Sequence, residues 1–136
     1  MNNRSVRVLI AAFAAIASPA TAHHSIAIYD IDQNIHFNGV VEALAMRNPH
    51  IALTLRVTKD DGATGTVNFL EGAAASMILR KGMDPADLAV GKPIRAIGAP
   101  LHANPHAYFL KAIVLPDGRA VATAPGPGGL ALPRVA

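Results

Sequence analysis

The sequence predicts a mainly β domain with one short helix, preceded by an export signal. Three observations predict it. Residues 51–58 alternate strictly: Ile51, Leu53, Leu55 and Val57 are apolar, whereas Ala52, Thr54, Arg56 and Thr58 are small or polar. That period of two marks a half-buried strand. Turn signals recur along the chain at Asn48-Pro49, Lys59-Asp60-Asp61-Gly62 and Pro116-Asp117-Gly118-Arg119. Helix-favouring sequence is confined to one stretch near Ala73–Lys81.

Residues 1–22 have the three parts of a secretory signal. Arg4 and Arg7 give a positive start, and Val8 to Ala17 is an uncharged apolar run. Ser18-Pro19-Ala20-Thr21-Ala22 ends in the small-x-small pattern that signal peptidases cleave. The apolar run is about half of the ~20 residues needed to span a bilayer. Cleavage after Ala22 is therefore expected, giving a periplasmic protein with no membrane anchor that begins His23-His24. No Cys is present to carry a lipid.

The 136-residue chain has 12 Lys+Arg against 9 Asp+Glu. Arg4 and Arg7 leave with the signal, so the mature part has 10 basic residues against 9 acidic ones. That balance, with no Trp and five remaining aromatics (Tyr29, Phe37, Phe69, Tyr108 and Phe109), argues against nucleic acid as a partner. Without Cys, the exported domain must be held by its core, not by disulfides. No protein partner is legible.

Residues 23–34 read as an N-terminal arm. Ile26, Ile28 and Ile31 are placed to dock on the domain, with Asp30 and Asp32 in water. The first strand is expected over Ile35–Met46, with Gly39 as a bend or bulge, and the second over 51–58. The third runs from about Thr64 to Leu70. The helix spans Ala73 to Lys81, with Arg80 and Lys81 at its negative end and Gly82 in the left-handed position past it. Asp84-Pro85-Ala86-Asp87-Leu88 reads as a cap and a single turn. A fourth strand covers Pro93–Gly98 and a fifth Ala107–Leu115, with a short return strand at Ala120–Ala122. Residues 123–136, rich in Pro and Gly, read as a disordered tail. A helix between the third and fourth of five strands is the arrangement of the oligonucleotide/oligosaccharide-binding (OB) barrel. The sequence therefore predicts an OB-like barrel over residues 35–122. A rolled, open α+β sheet is the competing reading.

Several short motifs carry a family resemblance. They are His23-His24-Ser25, Gly39-Val40-Val41, Asn48-Pro49-His50, Leu79-Arg80-Lys81-Gly82 and Leu115-Pro116-Asp117-Gly118-Arg119. Over about His23 to Val121 the chain resembles the small exported bacterial proteins known as domain of unknown function six-one-five-two. The resemblance implies a periplasmic address and a small β-barrel-like domain, without an activity. Members of that family usually carry Trp shortly before Asn-Pro-His and just after the helix; here Met46 and Met83 stand in those places.

The chemistry-bearing set is six histidines: His23, His24, His36, His50, His102 and His106. Two sit in the same tripeptide, Asn48-Pro49-His50 and Asn104-Pro105-His106. An OB-like barrel would bring the loops carrying His50, His102 and His106 to one rim, within reach of the arm. A histidine at a new terminus offers an amine and an imidazole to one metal. The amine's pKa of about 7.7–8.0 makes its deprotonation inexpensive near neutral pH. An all-nitrogen tetragonal set favours Cu(II). The expected metal ligands are His23, His50, His106 and His24, with His50 the first partner of His23 and Asp30 or Asp32 orienting an imidazole. The terminal His resembles a histidine brace. The function expected is thus a periplasmic copper carrier or buffer, not an enzyme. The alternative is a non-metal ligand- or partner-binding module in which Asn-Pro-His is a turn and the histidines are structural. No acid/base pair, phosphate loop or nucleophilic triad accompanies the histidines.

Overall fold

The computed structural model describes residues 26–123, so the signal, His23, His24 and the Pro/Gly-rich stretch from residue 124 lie outside the described residues. Six strands form one sheet: β1 (Ile35–Ala45), β2 (Ala52–Thr58), β3 (Thr64–Glu71), β4 (Pro93–Leu101), β5 (Asn104–Val114) and β6 (Ala120–Ala122). Their order is β3-β2-β1-β4-β5-β6, and an additional parallel pairing of β3 with β5 closes the first five strands into a barrel. The one α-helix among the described residues, α1 (Ala75–Arg80), lies between β3 and β4, as expected. The β3–β5 pairing removes the open-sheet alternative. β6 extends the sheet beyond the barrel on β5 alone.

The alternation at 51–58 holds as predicted: Leu53 and Leu55 are fully buried and Arg56 faces out. The core includes Val41, Ile51, Leu53, Leu55, Phe69, Ile78, Leu88, Leu110 and Ile113. Met83 is buried in it and Met46 packs partly buried against it, so both methionines serve the core. β5 is buried on both faces from Ala107 to Ile113 and reads as a continuous apolar run rather than an alternation. Its start, at Asn104, lies three residues before the predicted one, because Asn104 pairs with Leu101 of β4 across the hairpin, ahead of the buried run.

Gly39 is not the bulge. The register shift on β1 falls between Val41 and Ala43, while Gly39 pairs regularly with Val57 of β2 and Ile94 of β4. Its role is close approach: a Cβ there would lie 2.7 Å from the Arg56 carbonyl oxygen. β1 pairs with β4 over its first half and with β2 over its second, so Gly39 sits where the strand passes from one partner to the other.

The helix is two residues shorter at its start and one at its end than predicted, because its N-cap is Ala74, whose side chain cannot accept a hydrogen bond. The β1–β2 loop supplies the acceptors instead. The Arg47 carbonyl accepts from Ala75 N at 3.1 Å and Asn48 Oδ1 accepts from Ser76 N at 3.2 Å. Gly82 has φ +88, the left-handed value expected past the helix. Asp84 caps the following turn by accepting from Ala86 N. Asp87 and Asp117 both grip Arg119, at 2.9 and 2.8 Å, which ties that turn to the 116–119 corner. The Leu-Pro-Asp-Gly-Arg motif is thereby accounted for structurally. Thr123, counted with the tail from its sequence, is buried, and its hydroxyl donates to the Leu110 carbonyl.

The arm docks through a residue that sequence reading passed over. Tyr29 is buried against Phe109 and Ala99, whereas Ile28 stays half-exposed and Ile31 packs at the margin. Lys111 completes the anchor. Its buried ammonium donates to the Ile31 and Gln33 carbonyls and to Asn34 Oδ1. Burial pulls the Lys111 pKa below its ordinary value, with Asp32 and Asp30 opposing that shift.

Candidate functional site

α1 sits at one end of the barrel, beside the end of β3 and the β1–β2 loop. The other end, where β1, β3 and β5 begin and β2 finishes, is open. The two Asn-Pro-His tripeptides are divided between these ends. Asn48-Pro49 is a cis peptide, and His50 Nδ1 lies 2.9 Å from the Gly72 carbonyl oxygen, just past the end of β3. A carbonyl only accepts, so Nδ1 carries the proton and Nε2 of the neutral ring is left with its lone pair. Asn104 Oδ1 accepts from His106 N at 3.0 Å, an Asx turn that starts β5.

Register separates the two imidazoles. Ala107, next to His106, pairs with Asn68, whereas His50 is held at Gly72, four residues further along β3. At 3.2–3.4 Å per residue that is about 13 Å of strand. The expected gathering of His50, His102 and His106 on one rim therefore does not occur, because the parallel β3–β5 register runs the two loops to different ends. Among the described residues, no three His, Asp or Glu side chains come together as a metal-binding group.

The arm belongs to the open end. Ile28 O accepts from His102 N at 2.9 Å, Asp30 N donates to Pro100 O, and Tyr29 forms a bridge with Leu101. The loop that carries His102 is thus tied to the residues that follow His23 and His24. Sequence reading placed His102 on the expected rim but left it out of the ligand set. Nothing in its neighbours signals the backbone contact with the arm, since that contact is tertiary.

A cavity of about 690 Å³ lies at the same end, lined by His36, Phe37, Lys59, Thr66, His106 and Tyr108 among others. Phe37 and Tyr108 meet edge to face, with centroids 4.8 Å apart, and Phe69 lies behind them. Sequence reading missed this site because its residues come from four strands and share no spacing.

Burial pushes the Tyr29 phenol above its usual pKa, and the charge of Glu71 adds to that; burial alone does so for Tyr108. A phenol that is harder to ionise in the folded state stabilises fully below the unfolded value of about 10, and this contribution is lost as pH rises through the folded value. These are the only two tyrosines in the chain. Ultraviolet titration of the native protein is expected to show both ionising above pH ~10, with stability falling over the same window. Ionisation of both at the ordinary value would contradict the packing of Tyr29.

Comparison with protein families gives one result. The model of a family described as "Family of unknown function (DUF6152)" matches residues 11–104. The match ends at Asn104, so the 115–119 motif lies beyond it. No curated protein and no solved structure matches the chain.

Proposed function

We propose that this chain, which belongs to the DUF6152 family of unknown function, is an exported OB-like domain that binds Cu(II) through a mature terminus at His23. The amine and imidazole of His23 chelate the metal in the periplasm. The third nitrogen comes from the β4–β5 loop, with His102 as its donor in place of His50. One observation carries that choice: the 2.9 Å hydrogen bond from His102 N to Ile28 O, which ties the loop to the arm. His23 lies five residues before Ile28, a reach of up to about 17 Å. His50 stands at the helix end of the barrel, away from the end where the arm docks.

The test is isothermal titration of the mature protein with Cu(II). His102→Ala is expected to weaken binding by at least the ~10–100-fold that loss of a supporting group typically costs a metal site. His50→Asn keeps a donor for the Gly72 carbonyl and is expected to leave the affinity unchanged. The opposite pattern would return His50 to the metal and reject the loop assignment.

A further inference from the structure

We infer that the open end of the barrel is a binding site for a small organic carboxylate with a planar apolar body. This site is separate from the metal proposal and shares no ligand with it. Its cavity, about 690 Å³, is of the size that holds small molecules. Its aromatic residues are Phe37 and Tyr108, which line it together with Val57 and Val67.

The polar lining favours an anion. Lys59 and His106 line the cavity, whereas the His36 ring takes the opposite face of β1 from Phe37; neither the Lys59 nor the His106 side chain has a hydrogen-bond or ion-pair partner among the described residues. Asp60 is the one carboxylate in the lining, and it sits in the 59–62 turn. Donors therefore outnumber acceptor-only groups, and a charged hydrogen bond from Lys59 is the strongest contact available.

Gly65 keeps the mouth open. Its φ lies outside the left-handed region, so backbone conformation does not call for glycine there. The atom nearest to a Cβ at Gly65 would be Lys59 Cε, at 3.5 Å. The lysine stem thus lies across the bare strand, beside the cavity, and a larger residue at position 65 would compete with it for that space.

The experiment is an amide-resolved NMR titration of the mature protein with sodium benzoate, in the presence of a chelator. Benzamide is the neutral control of equal shape. Benzoate is expected to bind saturably, with shifts centred on Thr66, His106 and Tyr108, and benzamide to bind at least about tenfold more weakly. Lys59→Met is expected to weaken benzoate by about tenfold, and Gly65→Val to abolish binding in a folded protein. Lys92→Met, outside this cavity, should change nothing. Equal binding of benzamide would make the site a neutral-ligand pocket and reject the anion. Shifts mapping elsewhere, no saturable binding, or indifference to Lys59→Met would reject the site itself. Because the chelator removes copper, none of these outcomes depends on the metal reading.

Discussion

Gly39→Ala is expected to destabilise the domain by about 3 kcal/mol, the upper part of the range for forcing atoms into a well-packed interior. The added Cβ would lie 2.7 Å from the Arg56 carbonyl oxygen and 3.0 Å from Val57 Cγ1. The first of these is backbone, held in the β1–β2 ladder, and cannot rotate away. Relief requires β1 to separate from β2 at the point where it also pairs with β4. For a domain of this size the loss corresponds to a fall in Tm of roughly 10–20 °C. Gly65→Ala is the internal control. It is also a strand glycine, but its Cβ would meet only a lysine methylene at ordinary contact distance. It is expected to change stability by about 0.5 kcal/mol or less. Thermal unfolding of both variants checks the contrast, and similar losses in the two would mean that Gly39 is not a close-approach position.

The sequence carried the barrel well because each element had a local cause. Alternation at 51–58 reported a strand with one wet face, and Lys59-Asp60-Asp61-Gly62 reported the turn after it. Gly82 and Asp84 marked the helix end and the next cap through backbone conformation and side-chain chemistry that act within a few residues. The errors arose where the cause was distant. The start of the helix depends on Arg47 and Asn48, nearly thirty residues earlier in the chain, so no local capping residue marks it. The docking residue of the arm is Tyr29 rather than the isoleucines, because the pocket it fills is made by Phe109 and Ala99. Lys111, read as an ordinary strand residue, is the buried clamp for residues 31–34.

The candidate site was legible as a residue type and not as a place. Two identical Asn-Pro-His tripeptides suggested a shared role, yet one supplies a cap to α1 and the other an Asx turn opening β5. Their separation follows from the parallel β3–β5 register, which no short motif encodes. The open-end cavity draws on β1, β2, β3 and β5 and has no linear signature at all.

The second large effect concerns the terminus. A metal held by the amine and imidazole of one residue gains both donors at the entropic cost of ordering that residue alone. Acetylation of the His23 amine converts it into an amide nitrogen, which is far less basic and leaves no free terminal amine to anchor the metal. The chelate is then lost while the barrel, the arm anchor at Tyr29 and the remaining histidines are unchanged. The reduction in Cu(II) affinity is therefore expected to exceed that of removing any single loop imidazole, beyond ~100-fold.

The most direct measurement is a side-by-side Cu(II) titration of protein beginning at His23 with a free amine and the same protein with that amine acetylated, after mass spectrometry has established the first residue of the exported form. The account predicts export as a chain starting at His23, tight one-to-one binding by that form, and loss of tight binding in the acetylated one. Equal affinities, or an exported chain that starts at any other residue, would contradict it.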